Sequence, residues 1–365
     1  MTHLGLPSMP RTRFAPSADQ TATEPPERRG LTRDGVRLLV ADGETVVHTR
    51  FSALERSLHA GDVLVVNTSG TVPGQLDGHR NGRPMVLHVA NRLPDGHRVV
   101  ELRRAPDAAT PILDGHAGER ITLPDGAGCT LVEPYPAPDS SPTGIGNRLW
   151  RGAVETPGRS SGYLDRYARP ISYGYLRERF PIAAYQTIFA MHPGSAEMPS
   201  AGRPFSPELV TRLVSGGVGF APVTLHTGVS SQDAGEAPQA EWYAVGQATA
   251  DLVNATRARG GRVVAVGTTS TRAIESATGP DGVVRPSSGW TDLVISPARP
   301  VRVVDGLVTG WHNPDASHLL LVESVAGAEL TQQAYDAAVA AGYLWHEFGD
   351  SGLLLPRVRR ETAGS

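Results

Sequence analysis

Arg262-Val263-Val264-Ala265-Val266-Gly267-Thr268-Thr269-Ser270-Thr271-Arg272-Ala273-Ile274-Glu275-Ser276-Ala277 is the stretch that decides the fold. Its first five residues form a short, mostly β-branched apolar run, which reads as a buried strand. Gly267-Thr268-Thr269-Ser270 then makes a turn, and Thr271 to Ala277 reads as a helix. A strand feeding a helix through a tight turn is the repeating unit of α/β proteins. Backbone N–H groups at that helix start, with three hydroxyls beside them, suit an anion such as a carboxylate or phosphate. They equally suit an ordinary N-cap, in which a hydroxyl satisfies a free N–H. Both readings stand at this level.

Working outward, the same alternation continues on either side. Pro207 to Leu213 reads as a helix and Val218 to Leu225 as a strand. Ala244 to Arg259 reads as a long helix ended by Gly260-Gly261. Downstream, Leu293-Val294-Ile295, Val301 to Val304 and Leu307-Val308-Thr309 read as strands, and Ser317 to Ala326 and Thr331 to Ala341 as helices. Strands Val36 to Val40 and Asp62 to Asn67 lie near the start. Between them and the α/β part the texture changes. Met85–Val89, Arg98–Leu102, Arg120–Leu123 and Cys129–Val132 are short alternating runs separated by Gly, Pro and Asp, the pattern of a small antiparallel barrel or sandwich. Residues 134–147 form a Pro/Ser/Gly-rich connector. The expected organisation is an α/β domain built from residues 1–74 and 165–365, mainly parallel or an irregular α/β barrel, with a β-barrel domain inserted over 75–164.

Composition narrows the function classes. A chain of 365 residues with 39% hydrophobic and 19% charged residues has ample material for about two domains. All 34 basic residues are arginine. The absence of lysine excludes a Schiff-base lysine, and with it pyridoxal-phosphate and lysine-aldolase chemistry. It also excludes a Walker A loop. Cys129 is the single cysteine, so an internal disulfide or Cys-rich zinc site is impossible, and its context reads as a buried structural thiol. No apolar run approaches the roughly 18 residues of a membrane span, and the first residues lack a signal-peptide pattern. The expectation is a cytoplasmic protein with no membrane partner, with a monomer as the default state. A net charge of −3 argues against a globally basic nucleic-acid binder.

Two histidines occupy the ends of strands, where parallel α/β folds place their active sites. His226 closes Val223-Thr224-Leu225-His226-Thr227-Gly228, and His312 follows Leu307-Val308-Thr309-Gly310-Trp311. Both are candidates for proton transfer near neutral pH. No His-x-x-x-His pair or compact ligand cluster suggests a metal. Seven arginines between Arg148 and Arg179, interleaved with Trp150, Tyr163, Tyr167, Tyr173 and Tyr175, make Arg148, Arg151, Arg166 and Arg169 the candidate RNA-facing residues. The same stretch also reads as a solvated interdomain segment with half-buried tyrosines.

Several blocks in order resemble the S-adenosylmethionine:tRNA ribosyltransferase-isomerase family of queuosine biosynthesis. They are Tyr185-Gln186-Thr187, Val223-Thr224-Leu225-His226 with Gly228, Glu241-Trp242-Tyr243, Arg259 through Thr269 to Arg272 and Glu275-Ser276, and Ser288-Gly289-Trp290-Thr291-Asp292-Leu293. Arg37–Val40 and Gly61–Val65 look similar too. The resemblance implies an irregular α/β barrel with an inserted β-barrel. It implies transfer and isomerisation of the ribosyl part of S-adenosylmethionine onto 7-aminomethyl-7-deazaguanine in tRNA, with adenine and methionine released. S-adenosylmethionine is then a substrate, and no metal or redox cofactor is implied. Thr224, Gly228, Gly267, Thr268, Thr269, Arg272, Glu275, Asp292 and Asp350 become candidate substrate-binding residues, and His226 and His312 candidate proton carriers.

The chain also departs from that pattern. Asn67-Thr68-Ser69-Gly70 stands for Asn-Asp-Thr-Arg, and Pro199-Ser200-Ala201-Gly202-Arg203-Pro204-Phe205-Ser206 has lost a histidine. Gly235-Glu236-Ala237-Pro238-Gln239-Ala240 replaces a His-x-Met-His stretch, Gly310-Trp311-His312-Asn313-Pro314 an Asn-Phe-His-Leu-Pro motif, and Trp345-His346-Glu347-Phe348-Gly349-Asp350 an aromatic, Ser-Tyr-rich one. Arg203 and His318 read as compensating newcomers. A kept scaffold with altered polar positions leaves two further readings: an enzyme using S-adenosylmethionine or a related nucleoside on a small molecule, and a non-catalytic nucleoside-binding relative.

Overall fold

The structure is a computed structural model that describes residues 9–43, 45–137, 145–157, 162–229, 236, 238–314 and 316–356. Residues 138–144 of the expected connector, and Gly235 and Ala237, lie outside these. In chain order the strands are β1 (Arg37–Asp42), β2 (Thr45–Arg50), β3 (Val63–Asn67), β4 (Ser69–Thr71), β5 (Gln75–Arg80), β6 (Arg83–Arg92), β7 (Arg98–Arg104), β8 (Arg120–Thr122), β9 (Gly128–Pro134), β10 (Leu149–Glu155), β11 (His192–Ser195), β12 (Gly219–Leu225), β13 (Glu241–Val245), β14 (Val263–Val266), β15 (Ser287–Thr291), β16 (Gly306–Gly310) and β17 (Ser351–Leu355). The helices are α1 (Tyr163–Tyr167), α2 (Pro207–Ser215), α3 (Gln247–Ala258), α4 (Thr268–Ser276), α5 (His318–Ala326) and α6 (Ala328–Ala340).

Nine strands form one sheet in the order β15-β13-β12-β3-β14-β16-β17-β1-β2. Its centre is parallel, through β12–β3, β3–β14 and β14–β16, whereas both edges are antiparallel. β3 and β14 are buried along their whole length, because a strand covered on both faces has no polar side to alternate with. Successive residues feed opposite cores. Val63, Val65, Val263 and Ala265 face α3, α4, α5 and α6. Leu64, Val66, Val264 and Val266 face α2 and the 3-10 turn at Phe51–Ser57. The second body is a closed six-stranded antiparallel barrel, β10-β7-β6-β5-β8-β9, filled by residues such as Leu87, Val100, Leu102, Ile121, Leu131 and Trp150. Cys129 is buried there, and burial pushes its thiol up to about 12.

Three expectations are corrected. Ala244 to Arg259 is not one helix: Glu241–Val245 pairs as a strand with β12 and β15, and Gly246 separates it from α3. Leu293–Ile295 and Val301–Val304 form no strands, although Ile295, Val303 and Val304 are buried. The N–H groups of Arg302, Val303 and Val304 donate instead to the Glu275 carboxylate, at 2.9–3.2 Å, so a buried loop meets its hydrogen-bonding demand without a sheet. Helix α4 starts at Thr268, earlier than the expected Thr271. Among the described residues no helix is long and apolar enough to cross a membrane.

Candidate active site

A cavity of about 590 Å³ opens where the ends of β12, β14 and β16 meet the base of the barrel. Gly267, Thr268 and Thr269 form part of its wall. Helix α4 begins there without a side-chain cap. The Ser270 and Thr271 hydroxyls bond back to the carbonyls of Val266 and Gly267 at 2.8 and 3.0 Å, and Thr269 Oγ1 accepts from Asn67 Nδ2 at 3.2 Å. None of these side chains occupies the first N–H groups of the helix, so the ordinary N-cap reading does not describe this turn. Gly267 N–H donates to the Val308 carbonyl at 2.8 Å, whereas the N–H groups of Thr268 and Thr269, two residues of the cavity lining, have no partner among the described residues. An open helix start of this kind suits an anion.

The turn depends on Gly267. Its φ of +91° lies in the left-handed region, and an added Cβ would meet Ala201 Cβ at 3.1 Å. Gly267→Ala is expected to cost about 1–3 kcal/mol of stability and to weaken S-adenosylmethionine binding through the displaced helix start. Thermal unfolding and calorimetric titration read the two effects. Wild-type affinity in this variant would remove the turn from the binding site.

Arg272 also lines the cavity, with its charge already committed. Its guanidinium pairs with Glu241 and donates to the carbonyls of Leu293 (3.1 Å), Gln239 (3.0 Å) and Thr291 (3.2 Å). Glu241 in turn accepts from Gly228 N at 2.8 Å. Burial raises the Glu241 carboxyl, and Arg272 and the Gly228 N–H oppose that rise. Arg272 thus fastens the wall formed by α4, β13 and the 291–293 loop and is not itself a free ligand.

His312 is in the cavity and His226 is not. His312 Nε2 lies 3.1 Å from Thr309 Oγ1, its ring stacks on His318 at 4.8 Å, and its carbonyl accepts from Trp345 Nε1 at 3.0 Å. Burial, with His318 and His346 nearby, holds His312 well below its usual value. Burial likewise lowers His318 to about 4. Both rings are neutral at pH 7. His226 faces away: Nδ1 is 2.7 Å from Ser69 Oγ and the ring stacks on Trp242 at 5.2 Å. Placement at a strand end was the same for both histidines, and the side-chain direction separates them.

The remaining candidates divide similarly. Gly228 lines the cavity. Thr224 bonds Thr68 at 3.0 Å and lies outside the lining. Asp292 is exposed and lies outside the lining. Glu275 caps the 302–304 loop, and Asp350 anchors the start of β1 by accepting from Arg37 N (2.8 Å) and Leu344 N (2.9 Å) and pairing with the Arg37 guanidinium; neither reaches the cavity. Arg203 is buried against Glu27 at 3.0 Å and the Phe348 ring.

The RNA-facing expectation changes as well. Arg148 is 5% exposed and bound to Glu101 at 2.9 Å and Glu236 at 2.6 Å, so it is a buried barrel residue. Arg151 pairs with Asp95 and Glu133, and Arg169 is bidentate on Asp77 at 2.8 and 2.6 Å. Arg166 is exposed. The sequence reading missed Tyr173, Tyr175, Glu197, Gln239, His346 and Glu347, all on the cavity wall. The departures at Gln239 and at Trp345–Asp350 pointed to three of them, and Tyr173 and Tyr175 entered only as aromatics of the arginine-rich stretch.

The model of the queuosine biosynthesis protein family matches residues 11–354. An S-adenosylmethionine:tRNA ribosyltransferase-isomerase of Acidiphilium cryptum is 37% identical over 346 residues, covering 90% of this chain and 96% of that protein. An enzyme of the same name from Gloeobacter violaceus is 36% identical, covering 89% and 90%. The crystal structure of an S-adenosylmethionine tRNA ribosyltransferase from Thermotoga maritima superimposes with a TM-score of 0.50 at 26% identity, over 94% of this chain and 99% of that one.

Proposed function

Because the chain belongs to the queuosine biosynthesis protein family, we propose that it is an S-adenosylmethionine:tRNA ribosyltransferase-isomerase, with the cavity between sheet and barrel as its active site. The observation that carries this reading is the pairing of an uncapped helix start, Gly267–Thr269, with a neutral imidazole, His312, in one nucleoside-sized space. S-adenosylmethionine is the substrate and tRNA the acceptor, and no resident cofactor enters the reading.

Each group then has a task its chemistry suits. The N–H groups of Thr268 and Thr269 bind the methionine carboxylate or the ribose hydroxyls, while Gly267 N–H stays on the Val308 carbonyl. The positive sulfur of the substrate acidifies the adjacent C5′ hydrogens, so a modest base suffices to begin the reaction. His312 is that base: it is neutral at pH 7 and oriented by Thr309. Arg272 and Glu241 hold the wall rather than the ligand.

Purified protein incubated with S-adenosylmethionine is expected to release adenine and methionine only when tRNA carrying 7-aminomethyl-7-deazaguanine is added. Release without tRNA would move the acceptor to a small molecule or to water. Binding with no release in either tube would support a non-catalytic relative.

A further inference from the structure

The cavity contains acceptor groups that the reading above leaves unused. Glu347 Oε2 accepts from the Tyr175 hydroxyl at 3.1 Å, and the Tyr175 ring stacks on His346 at 4.5 Å. Glu197 accepts from the Tyr173 hydroxyl. Both carboxyls line the cavity. Glu197 also lies close enough to raise the proton affinity of both Glu347 and Glu241. With burial as the larger cause, this pushes Glu347 up to about 8.

A third acceptor lines the same cavity and is independent of these carboxyls. Gln239 is 7% exposed and donates Nε2 to the Val229 carbonyl at 2.8 Å, while its Oε1 is buried without a hydrogen-bond partner. That oxygen lies over Gly228, a cavity residue, 2.8 Å from where a Cβ would stand. A buried amide oxygen left unpaired costs stability, and it is retained here at the edge of a ligand-sized space. The nearest guanidinium on that wall, Arg272, is committed to Glu241 and three carbonyls.

Two carboxyls and an unpaired amide oxygen around one space call for a ligand that brings N–H donors. Glu347, at about 8, holds its proton near neutral pH, and a positive charge arriving beside it favours the ionised carboxylate. A sulfonium has the charge and no hydrogen to donate. A primary ammonium has the charge and three donors. We propose that Glu197, Gln239 and Glu347 form a subsite for the primary ammonium group of a substrate. This rests on the functional reading above, in which two substrates carry such a group: the amino-acid end of S-adenosylmethionine and the aminomethyl arm of the deazaguanine.

Calorimetric titration of wild type and of Glu347→Gln, Glu347→Ala and Gln239→Ala separates the two sources. The ligands are S-adenosylmethionine and its deamino analogue, then 7-aminomethyl-7-deazaguanine and 7-methyl-7-deazaguanine. Wild type is expected to bind one amine-bearing ligand roughly 10- to 100-fold more tightly than its amine-free partner, the size of a charge-assisted hydrogen-bond effect. Glu347→Gln, which substitutes a neutral group of the same shape and keeps the fold, is expected to erase most of that difference. The pair that shows it identifies the source. Equal affinity within both pairs, failure of wild type to bind any of the four, or a difference that survives in all three variants overturns the subsite. Adenine release is scored separately: turnover with no amine effect sinks the subsite alone, and an amine effect with no turnover sinks the ribosyl-transfer reading alone.

Discussion

Arg272→Ala is expected to lower the unfolding free energy by about 3–5 kcal/mol, the cost of removing one partner from a buried ion pair. Both side chains of the Arg272–Glu241 pair are nearly inaccessible, at 8% and 10% exposure. Truncation strands the Glu241 carboxylate and frees the carbonyls of Gln239, Thr291 and Leu293, which Arg272 now satisfies. Arg272→Lys is expected to recover little, because one ammonium cannot span a carboxylate and three carbonyls held in a planar fork. Adding Glu241→Gln to Arg272→Ala is expected to restore part of the loss, since the stranded charge is then gone. Urea unfolding of the single and double variants reads all three terms. A loss below about 1 kcal/mol, the range of exposed pairs, would show that solvent reaches this wall.

His312→Ala is expected to reduce turnover about 100- to 10,000-fold, the usual contribution of a positioned general base, while S-adenosylmethionine affinity stays within a few-fold. His226→Ala is expected to leave turnover near wild type, because its ring faces Ser69 and Trp242 outside the cavity. The reverse outcome would exchange their roles. His312 also ties stability to pH. Its folded value is depressed, so the unfolded chain binds the proton more readily. Its stabilising contribution is therefore complete above pH 6.5 and lost as the pH falls below that value, and His318, lowered to about 4, acts in the same direction. The melting temperature of wild type is expected to fall from pH 7 to pH 5 more steeply than that of His312→Ala. Parallel profiles would mean that the imidazole is solvated.

Much of the architecture is legible in local pattern. Val63–Asn67 and Val263–Val266 are continuous apolar runs because both faces are covered. In the barrel, Arg120–Thr122 keeps the alternation of a strand with one inner face, whereas Met85–Asn91 and Val99–Arg103 are buried throughout, Ala90 and Val99 packing in a second cluster outside the barrel core. The errors fall where burial and backbone pairing part company. Val301–Val304 has the composition of a strand, yet its N–H groups are met by Glu275, a residue read as substrate-binding. Arg148 sits in an arginine-rich, aromatic stretch that suggests a surface, and Glu101 draws it into the barrel.

By itself, the sequence determined the alternation of strands and helices, the inserted barrel, the family, the absence of lysine chemistry, and the Gly267–Thr269 turn as an anion-binding candidate. The elements and the turn rest on spacing between neighbours in the chain, which local sterics and periodicity carry; the lysine exclusion rests on composition and the family on ordered blocks of residues. Only the tertiary structure decided which polar side chains share one space. It separated His226 from His312, turned Arg272, Glu275 and Asp350 into fastenings, and brought Glu197, Gln239 and Glu347 to one cavity. The reason is geometric: whether a strand-end side chain points into a cavity or away from it depends on a single residue of register, and a partner about 20 to 30 residues away, as for Arg272 and Glu275, or 313 away, as for Asp350, leaves no trace in local pattern.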